Sequence, residues 1–182
     1  SITLDLKLIN NLGIKFIKIH PRNLKTPIKK ENVYLNLLNK VNKYNFITLW
    51  CTFDGWSEKN LSEIDQLNLL SKIINKNNKK KFILMHAGGP NTLKYYERFR
   101  FNNNVFFDLS YTSTHYSGTS VENDLIFLFK KFDKRLIYGT DFPTLNFKKS
   151  LFIFKKMIAK SKISKIKKIN IKYKNLKNLI NG

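Results

Sequence analysis

The chain has 182 residues, 42% of them apolar and 14% aromatic, and 34 Lys and Arg against 12 Asp and Glu give a formal net charge of +22. This length and apolar content suit one domain around one buried core and exclude a disordered or collagen-like chain. No apolar run reaches the roughly 18 residues that a bilayer span needs. The single cysteine, Cys51, excludes an internal disulfide and a clustered-cysteine metal site, so a cytoplasmic protein with no membrane partner is expected.

The charge itself points only weakly to nucleic acid. Four basic residues are Arg (Arg22, Arg98, Arg100, Arg135) and the rest are Lys. A reader of bases and phosphates exploits the planar guanidinium fork, which this chain hardly uses. The accompanying abundance of Asn and Ile, with only Ala87 and Ala159 as alanines, reads as an AT-rich coding bias. Residues 146–182 carry twelve Lys and no acid. A Lys-rich helix over 161–182, belonging to the same single domain 1–182, is read as a solvated face, with polyanion binding as the lesser alternative.

In chain order, helical spacing over 3–12 ends at Gly13, well placed as a C-terminal cap. A short apolar run follows at 14–19, then helical spacing at 32–44, a run at 46–51, and a helix at 61–77. Runs at 82–86, 105–110 and 135–139 alternate with helices predicted at 91–101, 120–132 and 147–160, and a last helix is predicted over 166–180. The five runs are apolar almost throughout, as expected of parallel strands covered on both faces. Strict alternation predicts right-handed βαβ units and an α/β fold. A closed eight-stranded barrel takes about 250 residues. The expectation is therefore either an open five-stranded sheet or an incomplete TIM-barrel-like arrangement of about five parallel strands, and the absence of an initiator Met favours a fragment. An unpaired first strand would favour edge-to-edge association, so an oligomer is a further expectation.

In either architecture the chemistry gathers where the strands end. There the sequence places His20, Pro21 and Arg22; Cys51, Thr52 and Asp54; His86 followed by Ala-Gly-Gly; Asp108 and Ser110; and Thr140, Asp141 and Pro143. Two of the three histidines occupy strand ends. His86 and Asp141 would offer an imidazole and a carboxylate to one divalent metal. His86 could equally be a structural histidine, and Asp141 a helix N-cap or an Asx turn. His20, Arg22 and His115 are candidate substrate contacts, with Arg22 suited to a carboxylate. Asp54 and Trp56 suggest a turn beside a packed aromatic, and Cys51 a small buried core residue.

Four segments carry a resemblance. They are GIKFIKIHP at 13–21, FILMHAGG at 82–89, NVFFDLS at 104–110 and RLIYGTDFP at 135–143. In order and spacing they resemble the later strands of the amidohydrolase-related family of metal-dependent hydrolases. The resemblance implies a distorted TIM barrel in which a divalent metal, zinc or manganese, activates water against a carbon–nitrogen or carbon–oxygen bond of a small molecule. It puts His86 at the family's metal-associated histidine and Asp141 at its metal-binding or proton-accepting aspartate. The family's His-x-His pair belongs to a first strand that has no counterpart in these residues, and Trp50 or Cys51 stands where its fifth-strand histidine would fall. A metal-dependent hydrolase is thus the first functional expectation, provided that the missing N-terminal strands exist. A degenerate or truncated barrel that binds a small molecule or a partner is the alternative.

Overall fold

The computed structural model describes residues 5–21, 31–52 and 63–181, with 63–65 described by backbone alone. The elements run α1 (Leu6–Asn11), β1 (Phe16–Ile19), α2 (Glu31–Val41), β2 (Ile47–Cys51), α3 (Glu63–Lys76), β3 (Phe82–Met85), α4 (Thr92–Phe99), β4 (Val105–Asp108), α5 (Thr112–His115), α6 (Ser120–Lys131), β5 (Leu136–Ile137), α7 (Phe147–Ser161), α8 (Lys165–Ile169) and α9 (Asn175–Asn181). The five strands pair in sequence order, all parallel. β1 and β5 do not pair with each other, so among the described residues the sheet is open. No described helix is long and apolar enough to cross a membrane.

Alternation along each strand sorts side chains to two faces. Ile19, Trp50, Leu84, Phe107 and Leu136 point toward the helices and join Leu38, Leu70, Ile73, Tyr95, Leu128 and Phe154 in the main core. Ile47, Ile83 and Ile137 point the other way and are covered by Leu179 and Leu176 of α9. Burying both faces explains why the strands read as continuous apolar runs.

Several expected boundaries moved. α1 begins after Asp5, whose carboxylate accepts from the amides of Lys7 and Leu8, each at 3.0 Å. Gly13 takes the left-handed conformation at the helix end, as its position suggested. β5 shrinks to Leu136–Ile137, and the next amide, of Tyr138, bonds outside the sheet. The single helix expected over 166–180 is α8 and α9 joined by a π-helical turn at Asn170–Lys174.

That turn has a structural task. The amide of Tyr138, just past β5, donates to the carbonyl of Ile171 at 3.1 Å. Asn175 donates to the carbonyls of Asp133 and Leu136, each at 2.8 Å. The Lys-rich tail therefore satisfies polar groups along β5 with its buried side while most of its lysines face solvent.

Candidate functional site at the C-terminal strand ends

The loops that follow the strands are tied to one another by buried hydroxyls and an amide. Thr52 donates to the Met85 carbonyl at 2.5 Å and accepts from the Gly88 amide at 2.8 Å. Thr112 donates to the His86 carbonyl at 2.6 Å, and Gln66 to the Cys51 carbonyl at 2.9 Å. Four successive residues, His86, Ala87, Gly88 and Gly89, have positive φ, as do Tyr111 and Asp141. For non-glycine residues this costs about 1–2 kcal/mol each, and such outliers cluster at functional sites. Gly88 is needed for space as well, since a Cβ there would lie 2.4 Å from Cδ2 of Tyr95.

This scaffold turns His86 inward, where it is buried. Its Nδ1 lies 3.1 Å from the Ser110 carbonyl and 3.3 Å from Ser110 Oγ. The Ser110 hydroxyl donates to the buried Asp108 carboxylate, which also accepts the Ser110 amide at 3.2 Å. On the other side the strand register brings Cys51 level with His20 and next to His86, and both imidazoles act on its thiol. Burial would push the Cys51 thiol up, but the two imidazoles outweigh it and bring it down to about 6. Burial would lower the His86 pKa, but the hydrogen bond and negative charge of Cys51, with Asp108 behind, raise it instead. Burial pushes Asp108 up despite its bond from Ser110 and the nearby His86. Cys51 and His86 thus shift each other in opposite directions in a desolvated setting, the thiol downward and the imidazole upward.

The expected site residues fare differently. His86 and His20 come together around Cys51. Asp141 is half-buried after β5, on left-handed backbone, and its carboxylate accepts no hydrogen bond from a described residue. It does not cap α7, a task taken by Asn146, whose side chain accepts the Lys149 amide at 3.0 Å. The Asp141 carbonyl instead accepts the Leu145 amide at 3.1 Å, which folds the loop back toward Cys51. His115 lies at the end of α5 rather than in a loop. It is exposed and stacks on Tyr111 with ring centroids 4.7 Å apart, and Tyr111 in turn meets the His86 ring edge-on at 5.8 Å. Arg22, Asp54 and Trp56 lie outside the described residues.

Cys51 is the small buried core residue that the sequence suggested, packed with Tyr111, and it also stands between His20 and His86, with Asp108 and Ser110 behind His86. Parity along β2 separates Cys51 from Trp50, and the β1–β2 register then puts it on the same face as His20.

No protein-family model matches the chain, and no curated protein does. Among solved structures, an uncharacterized TIM-barrel protein from Bordetella bronchiseptica matches with a TM-score of 0.75 at 12% identity, over 97% of this chain and 60% of that one. The fold is TIM-barrel-like, with the sheet open among the described residues. A structure described as amidohydrolase 2 from Bifidobacterium longum subsp. infantis matches with a TM-score of 0.57 at 12% identity, over 85% of this chain and 59% of that one. This chain therefore spans about three-fifths of the length of these barrels, and the five described strands form an arc of a TIM-barrel sheet.

The resemblance implies a divalent metal at this mouth. Among the described residues no group of three or more His, Cys, Asp and Glu is placed to hold a metal ion. These residues do not fit a complete metal centre.

Proposed function

We propose that this chain forms the later-strand part of a hydrolase-type barrel that uses water to cleave a carbon–nitrogen or carbon–oxygen bond of a small molecule at the mouth. The observation that carries the reading is the gathering of His20, Cys51, His86, Asp108 and Asp141 at the C-terminal ends of parallel strands in an amidohydrolase-like fold. In this reading Asp141, whose carboxylate has no described donor, takes the proton of the attacking water. His86, its pKa raised by Cys51 and oriented by Ser110, returns a proton to the leaving nitrogen or oxygen. His20 and, beyond Tyr111, His115 contact the substrate, and Arg22 is assigned to its carboxylate.

The second reading is a barrel that binds a small molecule without turning it over. Trp50 and Cys51 favour it, standing where the resemblance expects a histidine. The test is a hydrolysis screen with small amides and esters on the wild type, Asp141→Asn, His86→Gln and Lys148→Ala. Turnover that falls by about 100-fold or more in the first two variants and is unchanged in Lys148→Ala supports hydrolysis. Saturable binding without turnover in the wild type supports the second reading. Elemental analysis for zinc and manganese tests separately the ion that the resemblance implies.

A further inference from the structure

At the end of the sheet opposite the mouth lies a cavity of about 470 Å³, between the starts of β3 and β5 and the chain that runs from α8 to α9. Phe106 of β4, Ile166 of α8 and Leu179 of α9 line it with apolar surface. Three lysines face the same space: Lys81 just before β3, Lys134 just before β5 and Lys174 in the π-helical turn. One acid, Asp133, stands against them, and its carboxylate accepts from Asn170 Nδ2 at 2.8 Å. Lys72 pairs with Glu31 and Lys160 with Glu122, but these three lysines make no ion pair or side-chain hydrogen bond among the described residues. Lys81 is half-buried all the same.

A solvated lysine face spreads its charges over open surface. Here they converge on one concavity with apolar walls, which focuses the positive field and draws an anion to it. An adjoining cavity of about 210 Å³ shares Lys81 and Leu179, adds Lys15, Lys79 and Lys80, and is lined by no acid, which extends that field along the same end of the sheet. Mostly apolar walls with a few convergent polar groups, at a volume between about 300 and 1,000 Å³, are the features of a small-molecule site.

The ligand follows from the charges and the walls. Three ammonium groups against one carboxylate leave two positive charges unbalanced, and a phosphomonoester carries about −1.5 to −2 near neutral pH. A bare phosphate would leave Phe106 and Leu179 without a partner, so the phosphate belongs to a molecule with a flat apolar part. We propose that this cavity binds a phosphomonoester with an aromatic body, of the size of a nucleoside monophosphate. Lys81, Lys134 and Lys174 hold the phosphate, the ring lies against Phe106 and Leu179, and Asn178 offers its amide to the ring edge. A nucleic-acid strand would call for aromatic platforms under successive bases, and Phe106 is the one aromatic side chain among the described residues that line the cavity.

The test titrates the full chain by calorimetry, at about 150 mM salt, with adenosine 5′-monophosphate, adenosine, inorganic phosphate and a short oligouridylate. The expected result is saturable one-site binding of the nucleotide, tighter by about tenfold or more than that of adenosine or of phosphate. Lys134 and Lys174 are exposed, so Lys134→Gln and Lys174→Gln should keep the fold, which circular dichroism checks. Each should weaken the nucleotide by about twofold to fivefold, and the double variant by about tenfold. Lys148→Gln, which removes the same charge from α7 away from the cavity, should leave binding unchanged. No saturation with the nucleotide, phosphate bound as tightly as the nucleotide, an equal loss in Lys148→Gln, or an oligouridylate bound more tightly than the nucleotide would each overturn the proposal. Asp141→Asn, at the other end of the strands, should bind the nucleotide as the wild type does, so this site is tested apart from the hydrolytic reading.

Discussion

Replacing Gly139 by Ala adds one methyl group beside the cluster without asking the backbone for a conformation that alanine avoids, because Gly139 is not among the positive-φ glycines. The new Cβ would stand 2.9 Å from Asp108 Oδ1 and 3.1 Å from Ser110 Cβ, and Asp108 Cγ follows at 3.8 Å. The first two distances are shorter than ordinary van der Waals contact, and both neighbours are buried, so one of them must move. Overpacking of this kind costs about 1–3 kcal/mol. In a domain of this length each kcal/mol lowers the melting temperature by about 2–4 °C, so calorimetry should record a drop of roughly 2–12 °C. The displaced carboxylate also loosens its bond from Ser110, which holds the His86 ring. The pH dependence of Cys51 alkylation by iodoacetamide should therefore shift along with the melt. A Gly139→Ala protein with unchanged melting temperature and unchanged alkylation profile would refute the close packing of Asp108 and Ser110 against this turn.

Two other predictions concern the frame around the site. Glu122 is buried and accepts from the Gly118 amide at 2.8 Å, Ser117 Oγ at 3.0 Å and Lys160 Nζ at 2.5 Å. Burial alone would raise its pKa, but these donors outweigh burial and lower it from 4.5. Its stabilising contribution is present above the unfolded value and is lost as pH falls through the folded one. Glu122→Gln should therefore cost about 1–3 kcal/mol in urea denaturation at neutral pH, with the difference from wild type vanishing toward pH ~3; an equal difference at both pH values would be inconsistent with a folded-state ion pair. Arg135 donates to the carbonyls of Phe99 at 3.1 Å, Asn102 at 2.7 Å and Arg100, and its guanidinium lies 4.2 Å from the Phe132 ring centroid. Arg135→Lys keeps the charge but cannot span three carbonyls, and should lower stability by about 1–3 kcal/mol in the same assay. A neutral outcome would mean that charge alone matters there.

The order of elements and the sheet were legible in the sequence because burial on both faces leaves each strand as a short apolar run set between amphipathic helices. What escaped was local. β5 is cut to two residues, and the Tyr138 amide just past it bonds to the tail, a long-range contact that no window along the chain reveals. The last helix carries a π turn because Ile171 must offer its carbonyl to Tyr138, again a long-range demand. His20 and His86 were legible as strand-end residues. Cys51 was not, since its neighbour Trp50 and the Ile, Thr and Leu before it read as core. Only the register of β1 against β2 and of β2 against β3 shows that its sulfur lies between two imidazoles. Asp108 and Ser110 were visible as a strand end, but their link to His86 depends on Ser110 curling back two residues onto Asp108.

The most direct measurement is the titration of His86 by nuclear magnetic resonance in the wild type and in Cys51→Ser, a simple assignment in a chain with three histidines. With Cys51 present the His86 imidazole should titrate above its ordinary value of about 6.5, and loss of the thiolate should move it downward, because burial then acts with less opposition. A His86 value that is ordinary in the wild type and the same in Cys51→Ser would contradict the coupling on which the site rests.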